Sequence, residues 1–530
     1  MFSTILFNSL LPILLGLLIL IVVFLFLSKP WQYLSPLSRQ TGCILLGIVL
    51  LGIFFRLEQP LQHYLFFDED YYLNAARTIS LGDFQALDPF LKKNGYELLL
   101  AIVFFFSGKS AELAAFGLNL GLGILTIPVV FLLTREFWSE SAAIIAAGLL
   151  AILPEHIRWS AATSLEVPAI FFALSSLLVF FIFLKSKNYL HFILALLISI
   201  YLSFIRPEMI LVAGFELLYL LFNSELLALA WKNLRHKLFS GITLILFLFS
   251  GALTLLSLKI WENIWVVERA ATLFSLNYFS SNLWDIIRYN FQIYNFLFFI
   301  LIITWFFGFY QIWQNRNFRK PATFISTLFL TLFFYYNAYF YGGYGIGTTV
   351  HSRFAAIWLA WAVILAGIGL DWFLQLINKK NSFKIGLFLL ILFSVYSQLN
   401  FGNFFPESSQ AWAVREREAM ISFAQENQSC LYVAIFPYPL NFHGFNAVSV
   451  NNFDPSTKAP CIMFWESISC KYEDQPVCTV LLKNSAWEKL TYQPVNIWQY
   501  SLTKDQYTAT IPAFTFRPAK TIFSLIKSHL

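Results

Sequence analysis

The sequence predicts an all-α polytopic membrane protein with a small mixed α/β domain after its last span. Of its 530 residues, 58% are hydrophobic and 12% are charged, and the mean hydropathy is +0.67. A soluble domain typically carries about 25% charged residues, so most of this chain is expected to lie in lipid. From residue 401 onward polar residues become frequent, and so does Pro. This change predicts a membrane domain, 1–400, and a water-soluble domain, 401–530.

Apolar runs close to the length needed to cross a bilayer, about 20 residues, recur along the membrane domain. About twelve such runs can be read, at 7–27, 41–57, 111–134, 141–157, 167–184, 189–205, 208–222, 239–258, 291–311, 322–341, 353–375 and 385–398. The first run lacks a basic flank and a small-residue cleavage site, so it is predicted to remain as a span. The apolar stretch 96–107 is shorter, which favours a re-entrant or interfacial helix.

The Lys and Arg residues between the spans predict the orientation, because short cytoplasmic loops are enriched in both. Every second loop is basic. The opposite side then holds most acidic residues, the first outer loop 58–95, a later outer loop 259–290 and the soluble domain. We therefore expect an integral protein of a bacterial-type inner or plasma membrane, in contact with membrane lipid. No segment has the basic clustering that nucleic-acid binding would need.

Four of the five cysteines fall in the soluble domain, namely Cys430, Cys461, Cys470 and Cys478. An even number in an extracytoplasmic compartment favours disulfides, with three pairings open. Free thiols are the alternative. None of these cysteines has the partner spacing of a zinc site.

The first outer loop carries three consecutive carboxylates, Asp68, Glu69 and Asp70, shortly after a span. Desolvation at the interface and repulsion between neighbours both favour a group that can accept a proton. Asp68 or Asp70 is therefore a candidate general base. The same residues also suit the acidic first turn of a helix, and the two roles are compatible. A divalent metal near the acids stays open, but no spacing requires one, so no cofactor is required.

A second acid, Glu166, stands at the mouth of a later span, two residues before Pro168. A charge that faces the bilayer centre costs up to about 3 kcal/mol, and less near the interface. We expect this carboxylate to face the protein interior. The alternative role is an acid at a helix N-terminus followed by proline.

Arg206 and Arg353 are predicted at outer span ends, where their guanidinium groups could hold a lipid phosphate. The alternatives are interfacial snorkelling or an ion pair, for which Glu208 is the obvious partner of Arg206. His351, two residues before Arg353, could be a base or a phosphate donor. A lone histidine is more often structural.

Several short motifs, taken in order, resemble the GT-C superfamily of glycosyltransferases. They are the Asp68-Glu69 pair, the stretch Thr134-Arg135-Glu136-Phe137-Trp138, an acid after Pro154, and the late pair Arg353-Phe354. The chain looks closest to the branch that contains protein O-mannosyltransferases and the lipid A aminoarabinose transferase. The resemblance is clearest from 57 to 208, returns at 351–370, and does not cover the soluble domain.

The resemblance implies inverting transfer of a sugar from a polyprenyl-phosphate donor to an acceptor hydroxyl on the extracytoplasmic face. It assigns the catalytic role to Asp68, with Glu69 as its neighbour, and carries a site role over to Glu166. Arg353 is followed by Phe354 where the family usually has tyrosine, so that hydroxyl is missing. The acceptor can be a lipid, a glycan or a protein.

The outer loop 259–290, with Arg269, Tyr278 and Trp284, is predicted to close over the sugar as a lid. Two rival functions stay open at this stage. A transporter or flippase would show internal repeats and midplane polar residues, and neither is clear here. A lipid-linked oligosaccharide ligase or polymerase would depend on His and Arg. The presence of His351 and Arg353 keeps that hypothesis open.

Overall fold

A computed structural model describes the chain in segments. These are residues 2–58, 67–82, 95–108, 112–221, 275–294, 296–338, 349–377, 410–454, 456–466, 487–492, 495–500 and 510. The chain divides into two compact units. One contains 1–59, 84–100 and 116–405, and the other contains 60–83, 101–115 and 406–530. The first-loop segment 60–83 therefore groups with the C-terminal residues, whereas the sequence had assigned it to the membrane domain.

Fourteen helices are described before residue 378. They are α1 (Phe2–Ser28), α2 (Arg39–Leu57), α3 (Phe67–Ser80), α4 (Gly95–Ser107), α5 (Glu112–Phe137), α6 (Glu140–Ala151), α7 (Pro154–Ser160), α8 (Glu166–Ser186), α9 (Tyr189–Ile205), α10 (Ile210–Leu221), α11 (Phe279–Tyr294), α12 (Phe296–Gln314), α13 (Arg316–Asn337) and α14 (Thr349–Ile377). Short 3₁₀ turns lie at Pro30–Tyr33, Pro207–Met209 and Leu276–Tyr278.

Four helices in the described part are long and apolar enough to cross a bilayer: α2, α5, α8 and residues Ile357–Leu376 of α14. Helices α6 and α7 pass the same test together, as a pair bent by 57°. The bend follows from Leu153, whose extended backbone precedes Pro154, because proline disfavours a helical conformation in the residue before it. A mostly helical membrane protein is confirmed, with four or five candidate spans. The count of about twelve stays a prediction, and runs 239–258 and 385–398 lie outside the described residues.

Helices α12 and α14 approach each other closely because glycines line their contact. A Cβ atom at Gly308 would lie 2.0 Å from the carbonyl oxygen of Leu365, and one at Gly369 would lie 1.9 Å from that of Thr304. In lipid, helices associate largely through such close packing of small residues. This contact fixes the position of α14 in the bundle.

Glu136 joins three chain segments at the end of the bundle where the sequence predicts cytoplasmic loops. Its Oε1 accepts from the backbone N–H of Ser35 at 3.2 Å, and its Oε2 pairs with Nζ of Lys185 at 2.5 Å. Nearby loop ends are also tied, because Ser139 donates to Asp371 at 3.1 Å. The contacts thus group the predicted cytoplasmic loops together.

The described part of the predicted lid is helical. The turn Leu276–Tyr278 leads directly into α11, in which Phe279, Leu283 and Ile287 recur at helical spacing. Asn282 donates from Nδ2 to the carbonyl oxygen of Asn337 at 2.7 Å, which ties α11 to the end of α13. Arg269 lies outside the described residues.

The C-terminal residues form a mixed α/β structure, as predicted. Its elements are α15 (Gln410–Glu426), β1 (Leu431–Ala434), α16 (Tyr438–Phe442), β2 (Ala447–Ser449), β3 (Ile462–Glu466), β4 (Trp487–Thr491) and β5 (Asn496–Tyr500). The sheet order is β2-β1-β3-β5-β4. Strand β1 is parallel to β2 and β3, and β5 is antiparallel to β3 and β4. Phe423 of α15 packs with Tyr432 and Trp465 in the core.

A disulfide joins Cys430 and Cys461, with their Cα atoms 4.7 Å apart. Each cysteine precedes a strand, and the next residues, Leu431 and Ile462, are partners in the parallel pairing of β1 with β3. The strand register therefore brings the two thiols together. This is one of the pairings left open by the sequence, and Cys470 and Cys478 lie outside the described residues.

Candidate functional site

The three consecutive carboxylates occupy the first turn of α3. Successive residues of a helix point in directions about 100° apart. Asp68 is accordingly exposed to solvent, whereas Glu69 and Asp70 are buried. This acidic first turn is the alternative role that the sequence predicts for the motif, and Asp68 stays exposed in it.

Arg417 of α15 forms a bidentate ion pair with Asp70. Its Nε donates to Oδ2 at 2.7 Å, and its Nη2 donates to Oδ1 at 2.5 Å. The same Nη2 donates to Oε1 of Glu112 at 2.5 Å. Burial lowers the pKa of Arg417, but the charges of Asp70 and Glu112 outweigh it and raise that pKa above its ordinary value. The guanidinium is therefore a permanent cation that occupies both oxygens of Asp70.

Two further contacts attach α3 to the C-terminal residues of its unit. Arg77, in the last turn of α3, donates from Nη1 to the carbonyl oxygen of Asn441 at 3.0 Å and also to that of Phe442. The ring of Tyr71 meets the ring of Tyr438 edge to face, with centroids 5.2 Å apart. Helix α3 is thus held at its beginning and at its end.

A second polar cluster lies in the other unit and is centred on Arg206. Its Nη1 donates to Oε1 of Glu166 at 2.9 Å, and its Nε donates to Oε1 of Glu208 at 2.8 Å. Tyr336 donates its hydroxyl to the same Glu208 oxygen at 2.9 Å. All four side chains are buried. The Arg206–Glu208 pair is the alternative that the sequence raised, and Glu166 joins it from α8.

The backbone explains why Arg206 can reach both acids. It ends α9 in an extended conformation, with φ of −138° and ψ of 114°, because Pro207 disfavours a helical conformation in the preceding residue. The chain then turns at once through Pro207–Met209. Arg206 therefore stands just before this turn and Glu208 lies within it.

The beginning of α4 is packed tightly against the end of α9. Tyr201 donates its hydroxyl to the carbonyl oxygen of Gly95 at 2.6 Å. A Cβ atom at Gly95 would lie 2.8 Å from the carbonyl carbon of Phe204, so only glycine fits there without a shift. Tyr96 also donates to Asn119 at 2.9 Å. Glu97 follows as a buried carboxylate in the first turn of α4.

Arg56 forms a third buried group, between α2 and α7. Its Nη2 lies 2.6 Å from Nδ1 of His156, and its Nε donates to the hydroxyl of Ser160 at 3.3 Å. Its Nη1 donates to the carbonyl oxygens of Gly52 and Ala151. Because the guanidinium is always protonated, it donates this hydrogen bond and Nδ1 of His156 accepts it. These contacts connect α2 with the end of α6 and with α7, and they suit a structural role.

The structure brings some predicted residues together and leaves others apart. Glu166 and Arg206 meet in one cluster, and Asp68, Glu69 and Asp70 share one helix turn. Tyr278 lies in the turn before α11. His351 and Arg353 belong to the first turns of α14, and their side chains lie outside the described residues.

Sequence reasoning missed Arg417, Tyr336 and His156. Tyr336 had a readable signal, because it stands with Asn337 at the end of an apolar run. His156 follows the acid after Pro154 and could have been noticed there. Arg417 had no signal, since α15 carries several charged residues and nothing distinguishes this one in the sequence. Across the described residues, no three His, Cys, Asp or Glu side chains are grouped as metal ligands.

The chain shares its fold with solved structures of two kinds of enzyme, ArnT and an oligosaccharyltransferase, at 13% sequence identity. Its backbone is similar to ArnT from Cupriavidus metallidurans in the apo state, with a TM-score of 0.54 and 13% identity over 88% of this chain and 99% of that chain. The same enzyme bound to undecaprenyl phosphate gives a TM-score of 0.55 and 13% identity, covering 87% of this chain and 98% of that chain.

A second similar structure is the Archaeoglobus fulgidus oligosaccharyltransferase tethered with an acceptor peptide. Its TM-score is 0.53 at 13% identity, over 90% of this chain and 75% of that chain. No protein-family model and no curated protein matches the sequence. The comparisons therefore show a shared fold and confirm the resemblance that the sequence motifs predicted.

Proposed function

We propose that the protein is a membrane glycosyltransferase that moves a sugar from a polyprenyl-phosphate donor to an acceptor hydroxyl on the extracytoplasmic face. The fold supports this proposal, because one structure of similar fold binds undecaprenyl phosphate and another holds an acceptor peptide. The observation that carries it is Asp68, a solvent-exposed carboxylate at the beginning of a helix whose other end is anchored. A carboxylate that a bound hydroxyl can reach is able to take its proton.

In the proposed reaction, Asp68 takes the proton of the acceptor hydroxyl, and the acceptor oxygen attacks the anomeric carbon of the donor sugar. The bond from that carbon to the phosphate oxygen breaks, and its electron pair leaves with the polyprenyl phosphate. The new bond forms on the opposite face, so the anomeric configuration inverts. Glu69 is buried next to Asp68 and is proposed to be the second acid of the catalytic Asp-Glu pair.

The departing phosphate gains negative charge, and cations nearby would stabilise it. Arg353 and His351 are the proposed phosphate ligands. Arg206 was predicted to share this task, but its guanidinium already faces the carboxylates of Glu166 and Glu208. An added phosphate would meet two negative charges balanced by one positive charge. We therefore give Arg353 the larger share of phosphate binding, and the role of Arg206 stays a prediction.

The disulfide supports the extracytoplasmic assignment. Disulfides persist in oxidising compartments and are rare in the cytosol. The Cys430–Cys461 bond lies in the unit that also contains α3. The proposed base therefore belongs to the same compact unit as a bond typical of the outer compartment.

Replacing Asp68 with Asn tests the proposal in membranes supplied with polyprenyl-phosphate sugars and candidate lipid, glycan and peptide acceptors. Loss of a general base lowers turnover by about 10²- to 10⁴-fold. Asp454→Asn is a matched control, because Asp454 is an exposed carboxylate of the soluble domain, and its turnover should equal that of the parent. Full activity of Asp68→Asn at normal protein level would rule out the assigned base.

A further inference from the structure

The soluble domain contacts the acidic helix at three separate points. Arg417 of α15 binds Asp70, the carbonyl groups at the end of α16 bind Arg77, and Tyr438 packs on Tyr71. All of these residues belong to one compact unit. A domain that merely covered the membrane surface would have no need for a buried, charged attachment to this one helix, because burying charges is costly.

We propose that Arg417 is a positioning residue for glycosyl transfer. Its bidentate contact with Asp70 holds α3, so that Asp68 keeps its position relative to the substrate. The inference rests on the proposed function and deepens it. Under this proposal, a residue of the soluble domain positions the catalytic base.

Helix geometry explains how the Arg417–Asp70 contact can influence Asp68 without touching it. Asp68 precedes Asp70 by two residues, which is about 3 Å along the helix axis and about 200° around it. The two side chains therefore point to nearly opposite sides of α3. This agrees with their exposure, since Asp70 is fully buried and Asp68 is open to solvent. Arg417 holds the inner side of the helix while the outer side stays available.

The form of the contact fixes both translation and rotation of the first turn. Two donors of a planar guanidinium reach the two oxygens of one carboxylate, and such paired bonds set direction as well as distance. Glu112 accepts from Nη2 of the same guanidinium, so Arg417 is itself held. A lysine would offer a point charge without this planar fork.

Catalysis makes this positioning matter, because a displacement of about 1 Å can cost about 10²-fold in rate. We expect Arg417→Ala to lower kcat by about 10- to 100-fold with little change in the KM for the lipid donor. Arg417→Lys should recover part of the loss, since it keeps the charge. Arg415→Ala is the matched control, because Arg415 is an exposed arginine of the same helix.

A double-mutant cycle separates this role from a general structural effect. Asp70→Asn and Arg417→Ala remove the two sides of one contact, so their effects on kcat should not add in the double variant. Additive effects would show that Arg417 acts through something other than Asp70, and the inference would be overturned.

Hydrogen exchange of the full-length protein in detergent gives a readout that needs no activity. Arg417→Ala should speed exchange of the α3 amides, while Arg415→Ala should leave them unchanged. Unchanged α3 exchange in Arg417→Ala contradicts the anchoring, and faster exchange with an unaltered kcat contradicts its role in transfer. A parent protein that transfers no sugar would contradict the proposed function itself, which distinguishes the two failures.

Discussion

The guanidinium of Arg206 donates to Oε1 of Glu166 across 2.9 Å, although 40 residues separate them in the chain. The bond joins the end of α9 to the beginning of α8, two helices that run antiparallel as neighbours. Both side chains are buried. Taking two charges out of water is costly, and the mutual attraction repays it only where the geometry is good and further hydrogen bonds are made. Glu208 and Tyr336 supply those further bonds.

Removing Arg206 should destabilise the protein severely. Arg206→Ala leaves the buried carboxylates of Glu166 and Glu208 without their shared cation, and breaking such a buried pair costs about 3–5 kcal/mol. Arg206→Lys should lose less, because it keeps the charge. Thermal unfolding of the purified protein in detergent measures both. Arg39→Ala, which removes an exposed arginine, should unfold like the parent. An Arg206→Ala protein as stable as the parent would contradict the energetic importance of this cluster.

The hydroxyl of Tyr336 should contribute a smaller, measurable amount. Tyr336→Phe keeps the ring but removes a donor from Oε1 of Glu208. A buried acceptor that loses a partner costs about 1–3 kcal/mol. The half-buried neighbour Tyr335 offers a control through Tyr335→Phe, which should have the smaller effect in the same unfolding measurement. Equal effects of the two substitutions would show that the Glu208 contact is not the cause.

Much of the fold was predictable because its signals are local. Apolar runs predicted α2, α5 and α8 to within a few residues, and the polar composition after residue 401 predicted the mixed α/β domain. Strand β1 lies within the short apolar run 430–436. These features depend on residues adjacent in sequence, so periodicity and composition are sufficient to find them.

The site was predictable only in part, because its contacts join residues far apart in the chain. The acidic turn, Glu166 and the Arg206–Glu208 pair could be named from their positions at span ends. The partner of Asp70 is Arg417, which lies 347 residues later. Nothing local to Arg417 distinguishes it from a solvated surface arginine. A pairing of this kind is determined by tertiary packing, and a single sequence does not encode it in a readable pattern.

Adding one methyl group at Gly95 should destabilise the junction between α4 and α9. The new Cβ in Gly95→Ala would stand 2.8 Å from the carbonyl carbon of Phe204, and relieving such overpacking costs about 1–3 kcal/mol. Gly121→Ala is a close control, because nothing lies within 4 Å of a Cβ there. It should be neutral or slightly stabilising, since alanine favours helix over glycine by about 1 kcal/mol. Unfolding temperatures in the reverse order would contradict the packing.

The disulfide should contribute strongly to the stability of the soluble domain. Its cysteines are 31 residues apart, and closing a loop of that length in the unfolded chain is worth about 3.5 kcal/mol in the chain-entropy model. The double variant Cys430→Ser/Cys461→Ser should lose about that much in a chemical or thermal unfolding measurement that follows the soluble domain.

Cys43→Ser provides the control, because Cys43 is a free, exposed thiol of α2. It should leave the unfolding of the soluble domain unchanged, because α2 belongs to the other compact unit. The buried Cys430 and Cys461 should react only after reduction, because a disulfide sulfur offers no thiolate. Reaction of both cysteines in the native protein, without reductant, would show that the bond does not form in the cell. It would also remove the support that the disulfide gives to an oxidising, extracytoplasmic compartment for this unit.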